Sequence, residues 1–399
     1  MPKWIVIGGG IVGASCAYFL AADGHEVTLV ERAGLAGGTS SACQNNMGAP
    51  IGGGEATRYF QTAVGVYDEL RAKGFDLDYV RHGHLYVART ESVAEALLHS
   101  AEEAQRAGLR VEIITPEEYH RVEPRLAPGI KAAALLPDGA QVSPMAVVFE
   151  LARAAVDLGA RILTRTEVTG ITAAGDRIRG VETSGGPIEC DGVVIAAGPW
   201  SAQVATLAGL AIPVAPRRGT ILVTEPAPGW LSHGVIDYGF DSALLEAAAP
   251  GEHEAVLGTV VQPLPSGNLL IGGSVEIAGF DRKVDRRIAG EIARLAAECL
   301  PDIRSLKIIR TYAGLRPYTP DGLPLVGPVP ELDGLMLATG HGGAGIDAGP
   351  LAGRLTADLV AARAPIVDPS ILRPDRFGTL VPGGASDAGT RPGSVEVRP

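Results

Sequence analysis

Three groups of residues in this chain have the types and spacing that chemistry needs. The first is Gly8-x-Gly10-x-x-Gly13, set between an apolar run at Ile5–Ile7 and a helical pattern of small and apolar residues from Ile11 to Ala22. Glycines so placed bind a dinucleotide: Gly8 permits the tight turn, Gly10 lets backbone approach the diphosphate, and Gly13 lets helix and strand pack closely. The anion is then held by helix N-terminal N–H groups and the helix dipole rather than by basic side chains. Glu31, eighteen residues beyond Gly13 at the end of the next apolar run, supplies a carboxylate for ribose hydroxyls. The second group is Gly340-His341-Gly342-Gly343-Ala344-Gly345 at another helix start, where free N–H groups suit a flat ring that gains negative charge. The third is Arg316, between Thr311-Tyr312-Ala313 and Pro317, whose guanidinium fork matches a carboxylate in two parallel hydrogen bonds.

Other polar residues carry weaker signals. His341 reads first as a loop residue bonded to backbone and second as an acid or base. Arg217 and Arg218, before Gly219-Thr220, either face a ligand or end an exposed strand. His82 and His84 share one side of a strand pattern without a third ligand nearby, so they are expected to be exposed polar residues rather than a metal pair. Tyr238 either covers a substrate or packs as an ordinary aromatic, and Ala243–Ala249 reads as a buried helix or an apolar lid. Cys16, Cys43, Cys190 and Cys299 lie far apart with no metal-ligand spacing. Neither a zinc site nor a disulfide framework is expected, and reduced thiols fit a cytoplasmic location.

These groups are positioned by alternating elements. Ile5–Ile7, Ile11–Ala22 and Val27–Val30 form one strand–helix–strand unit, which begins a parallel sheet. Ala33–Gly54 is loop, Glu55–Lys73 a helix and Val80–Ala88 a strand. Helices follow at Ser92–Gly108 and Pro144–Leu158, with a further one opened by Thr115-Pro-Glu-Glu. Gly192–Gly198 and Leu335–Ala338 are apolar without alternation, as strands buried on both faces are. Between them, Val214–Ser274 alternates and is punctuated by Pro and Gly, which is antiparallel sheet. The expected fold is therefore α/β plus antiparallel β: a Rossmann-like domain from residues 1–80, 144–213 and 311–370, with a substrate domain from 81–143 and 214–310. Residues 381–399, rich in Gly, Pro, Ser and Asp, are expected to be a disordered tail.

Composition excludes several classes. Of 399 residues, 46% are hydrophobic and 20% charged, so a real core forms. Thirty-four basic against 45 acidic residues, a net charge of −11, argue against nucleic acid, which needs a cationic surface. No apolar run approaches the roughly 18 residues of a membrane span, leaving at most peripheral contact at the inner face of a membrane. The 53 glycines are the outlier, and they require many tight turns or backbone lying close against something large and flat.

Taken together, Gly8–Gly13 with Glu31-Arg32, Gly38-Thr39-Ser40-Ser41, Ala196-Ala197-Gly198-Pro199-Trp200, Gly314-Leu315-Arg316-Pro317-Tyr318-Thr319-Pro320-Asp321-Gly322 and Ala338-Thr339-Gly340-His341-Gly342 resemble the D-amino-acid oxidase-like family of FAD enzymes. The likeness spans about residues 1 to 370. It implies FAD, a Rossmann-like half joined to an antiparallel substrate half, and oxidation of a C–N bond. The cofactor contacts it implies are Gly8, Gly10, Ile11, Val12, Gly13, Glu31, Arg32, Thr39, Ser40, Ser41, Asn45, Asn46, Val168, Ala197, Gly198, Trp200, Gly314, Gly340, Gly342, Gly343, Ala344, Gly345 and Ile346. It also implies that Arg316 anchors a substrate carboxylate. Family members with covalent flavin carry a cysteine just before the Thr-Pro-Asp run; Tyr312–Thr319 has none, so the FAD is expected to be non-covalent.

The reaction so implied is hydride transfer from a small amino or imino acid, a D-amino acid or a D-proline-like compound, leaving an imine. Some relatives carry a second arginine where this chain reads Gly342-Gly343-Ala344-Gly345, which counts against a glycine-oxidase-like or D-amino-acid-oxidase-like pocket and leaves room for a bulkier substrate. The resemblance of the Arg316 region and residues 267–274 favours a dehydrogenase passing electrons to a partner subunit or quinone. The alternatives are an N-methyl amine oxidase of the sarcosine or glycine type, which uses O2 and makes peroxide, and an FAD-binding subunit of a heteromeric dehydrogenase.

Overall fold

The computed structural model describes residues 1–48, 51–52, 54–240 and 255–380, so the Ala243–Ala249 stretch and the 381–399 tail lie outside the described residues. The first thirty residues form the strand Lys3–Ile7, the helix Ile11–Ala22 and the strand Glu26–Val30. Ile5 and Val6 are buried from both sides, which explains the unalternating pattern. The helix is small and apolar nearly all round because it is covered on two sides, by the helices Pro144–Asp157 and Gly345–Val360. Gly353 permits that closeness, since a Cβ there would fall 2.5 Å from the Ser15 backbone.

Six strands form the central sheet, in the order Leu325–Pro328, Leu335–Thr339, Gly192–Ile195, Lys3–Ile7, Glu26–Val30, Arg161–Leu163. All neighbours are parallel except the first pair. Ile5 lies beside Val193 on one side and Thr28 on the other, and Val194 lies beside Met336. One sheet is thus assembled from three distant parts of the chain, as its strand patterns predict.

The second large sheet has eight strands, in the order Ile308–Tyr318, Ala215–Thr224, Leu269–Val275, Val256–Pro263, Gly234–Asp237, His84–Ala88, Ala132–Leu136, Glu112–Ile114. It departs from expectation in three ways. Gly234–Asp237 pairs with His84–Ala88 in parallel, so the sheet is not purely antiparallel. The strand expected over Val80–Ala88 breaks at Gly83, whose φ of +75° turns the chain; Val80–Arg81 pairs with Ala140–Gln141 instead. Lastly, Ile308–Tyr318 pairs with Ala215–Thr224 along its length, so residues 311–318 belong to this sheet and not to the Rossmann-like part. Among the described residues no helix is long and apolar enough to cross a membrane, and no cluster of three His, Cys, Asp or Glu side chains is placed to hold a metal.

Candidate active site

A cavity of about 1010 Å³ runs from the C-terminal ends of the parallel strands to the face of the eight-stranded sheet. Its first wall is the glycine turn. Gly8 has φ +117°, and a Cβ there would meet Ala196 O at 2.5 Å; a Cβ on Gly13 would lie 1.9 Å from Gly8 O. Gly13 therefore packs helix against turn and does not itself line the cavity, whereas Gly8, Gly10, Ile11 and Val12 do. Gly10 is the N-cap and offers no capping side chain, and the first turn holds no acidic residue, so this helix end is available to an anion. Ser40, held in a short 3-10 turn at Thr39–Ser41, accepts from Ile11 N at 3.0 Å.

Glu31 stands at the cavity rim with both oxygens engaged, Oε2 accepting from Gly9 N and Oε1 from Ala33 N, each at 2.7 Å. Each oxygen keeps a lone pair for a hydroxyl donor. Beside it are Arg32, Val168, Ala197, Gly198 and Trp200. Thr39 donates to Leu315 O, tying this loop to the strand that carries Arg316. Ser41 is exposed, donates to Gly38 O and lies off the cavity.

At the other end, the loop before the helix Gly345–Val360 contributes His341, Gly342, Gly343, Ala344, Gly345 and Ile346. Gly340, at φ +77° against Thr319, shapes the turn from behind. Gly342 N donates to Pro317 O at 2.7 Å, which fixes this loop against the Arg316 strand. The helix has no side-chain cap at Ala344. His341 is 3% exposed; burial holds its pKa down at about 4, so the ring is neutral near pH 7. Its Nε2 has no hydrogen-bond partner among the described residues.

Arg316 is half-buried in the cavity wall and crosses over Gly219 of the neighbouring strand. Its Nη1 donates to Ser274 O at 2.8 Å, and among the described residues it forms no ion pair. Gly314, Asn45 and Asn46 also line the space. So do Gln44, His84, Tyr86, Phe240, Val260 and Asp347, which the sequence did not single out for this cavity. Asp347, in the first turn of its helix, accepts from Gly48 N at 2.8 Å, and Gln44 donates to Val260 O at 3.0 Å. The acidic first turn was a readable signal for Asp347; the aromatic and amide residues come from strands whose pairing is not local.

Several expectations are corrected. Arg218 is neither a ligand-facing nor an exposed arginine: it is buried and bonded to Glu276 Oε2 at 2.6 Å and Asp281 Oδ2 at 3.4 Å. Arg217 lies over the Tyr318 ring at 5.2 Å. His84 is 2% exposed, boxed in by Gly139, and burial lowers its pKa to about 3, so it is not an exposed polar residue. Tyr238 is a packed aromatic, buried against Tyr86 and donating to Ser100 Oγ at 2.6 Å. Burial raises the Cys43 thiol to about 11 and Cys16, Cys190 and Cys299 to about 12, so none is a thiolate near pH 7.

The glycine turn, the open helix starts and a cavity this size fit FAD: a Cβ at Gly8 or Gly13 would fill the turn itself. Comparison with known proteins agrees. The family model described as "FAD dependent oxidoreductase" (DAO) matches residues 3–359. The chain is 31% identical over 373 residues to glycine oxidase of Geobacillus kaustophilus, covering 91% of this chain and 94% of that one. It is 30% identical over 433 residues to D-amino acid dehydrogenase of Paramagnetospirillum magneticum, covering 94% and 99%. The crystal structure of the Geobacillus kaustophilus glycine oxidase superposes with a TM-score of 0.83 at 29% identity, covering 94% and 99%.

Proposed function

The chain belongs to the DAO family of FAD-dependent oxidoreductases, and on that premise we propose that it oxidises the C–N bond of a small amino or imino acid, held by its carboxylate on Arg316. FAD, when bound, supplies a two-electron acceptor for the hydride on the substrate Cα. The observation that carries the reading is Arg316 itself: a half-buried guanidinium in the cavity wall, oriented by Ser274 O, with no carboxylate paired to it among the described residues. A guanidinium fixed in a cavity wall without a counter-ion is free to take a substrate carboxylate in two charge-assisted hydrogen bonds.

The residues orient and enclose the substrate more than they exchange protons with it. His341 and His84, the cavity histidines among the described residues, are both neutral near pH 7 because of burial, and neither is basic enough to deprotonate an ammonium group efficiently. The substrate that reacts is therefore the neutral amine, taken as such from solution rather than made by a cavity base, and loss of hydride from its Cα to bound FAD would leave an imine that water hydrolyses after release. Non-covalent FAD is supported by the absence of cysteine from Tyr312–Thr319.

Electron transfer to an acceptor other than O2 is favoured over an oxidase. Turnover measured side by side with an artificial dye under argon and with an oxygen electrode tests this. Dye reduction with little oxygen uptake supports the dehydrogenase; stoichiometric peroxide assigns an oxidase.

A further inference from the structure

We propose that the loop between the strand Leu269–Val275 and the helix Arg286–Cys299 is a clasp that retains the adenosine end of FAD, with Phe280 and Arg282 as its working residues. The inference rests on the FAD reading only in that FAD occupies the cavity.

The loop is braced from below. Arg218 and Glu276 exchange both backbone hydrogen bonds at 2.9 Å, and the buried Arg218 guanidinium bonds to the Glu276 and Asp281 carboxylates. Asp281 N donates to Ala278 O, and Asp281 Oδ1 accepts from Lys283 N at 2.9 Å. The turn at 278–281 is thus held in one shape, and it projects Phe280 out of the eight-stranded sheet's own core.

Phe280 is 42% exposed, an unusual position for a large apolar ring, and it stacks on Trp200 at 6.0 Å and 24°. Trp200 follows the parallel strand Gly192–Ile195, so the stack joins the two halves of the molecule. The Arg32 guanidinium also lies over the Trp200 ring, at 4.4 Å, and Gly38 approaches the same ring. Trp200, Arg32, Glu31 and Arg282 all line the cavity, and Glu31 bonds to Gly9 N of the glycine turn. Arg282 forms no ion pair among the described residues. A cation on the clasp and a stacked lid ring suit the diphosphate and ribose of a dinucleotide. Phe280 does not itself line the cavity; it acts through Trp200, whose lining ring it holds in place.

The test is the rate of FAD release from purified holoenzyme, followed by flavin fluorescence after dilution. Phe280→Ala is expected to speed release about three- to tenfold, and Phe280→Tyr to stay within about twofold of the native rate because the stack is kept. Arg282→Ala is expected to speed release about two- to fivefold at low salt, with the difference vanishing near 0.5 M salt. Ile277→Ala, an exposed apolar change on the same loop, leaves release unchanged. Native release rates in both Phe280→Ala and Arg282→Ala would overturn the clasp, as would equal acceleration by Ile277→Ala. Failure of the native protein to hold flavin at all would contradict the cofactor reading instead.

Discussion

The Arg316 guanidinium lies directly on Gly219: a methyl group at 219 would stand 2.0 Å from Nη1 and 2.7 Å from Cζ. The two residues sit on paired strands, with Gly219 opposite Gly314 and Arg217 opposite Arg316. Glycine at 219 is what lets the arginine lie flat along the cavity wall. Gly219→Ala therefore displaces the guanidinium and is expected to raise KM for a carboxylate substrate at least about tenfold while flavin content stays native. Arg316→Ala raises it further, by about 30-fold or more, as truncating one partner of a buried charge pair does. Steady-state kinetics with flavin-normalised enzyme check both, and an unchanged KM in either variant contradicts the anchoring role.

Gly13→Ala tests the other end of the cavity. The added Cβ would fall 1.9 Å from Gly8 O, an overlap that only a shift of helix against turn can relieve. Such overpacking costs about 1–3 kcal/mol or more and moves the N–H groups that would hold a diphosphate. The variant is expected to purify with markedly less flavin, read from the ratio of visible to ultraviolet absorbance.

Much of this was legible because it is local. Gly8, Gly10, Gly13 and Glu31 lie within one strand–helix–strand unit, and the unalternating runs at Gly192–Gly198 and Leu335–Ala338 announced the buried parallel strands Gly192–Ile195 and Leu335–Thr339. What the sequence did not show depends on pairing between distant strands. Gly219 matters only because its strand lies beside that of Arg316, and His84 is buried only because Gly139 and the parallel strand Gly234–Asp237 close over it. Arg218 looked like a strand-end arginine since its partner Glu276 is 58 residues away. Phe280 gave no signal at all, because a lone aromatic in a polar loop has meaning only once Trp200 is opposite it.

Acid is expected to destabilise the fold through the buried histidines. His341 and His84 have folded pKa values of about 4 and about 3, below the ordinary 6.5, because burial disfavours the charged ring. The unfolded chain therefore takes up protons first as pH falls. Stability is complete above about pH 6.5 and declines on the way down to about pH 4, by on the order of 3 kcal/mol for each histidine. Melting temperatures across that range check this, and His341→Asn is expected to flatten the slope.

Breaking the brace under the clasp loop is expected to be costly. Arg218 and Glu276 are both buried, and removing one partner strands a charge, at about 3–5 kcal/mol. Glu276→Ala should therefore lower Tm by several degrees in calorimetry, whereas Asp281→Ala, whose carboxylate is half exposed, should lower it by much less.

The most direct measurement of the central claim is anaerobic mixing of the yellow holoenzyme with a panel of D-amino acids, D-proline analogues, glycine and sarcosine, followed at the visible flavin bands. At least one carboxylate-bearing amine is predicted to bleach the flavin, and Arg316→Ala to need much higher concentrations of that same amine. Flavin that stays oxidised with every member of the panel would contradict the account, as would bleaching with equal efficiency in Arg316→Ala.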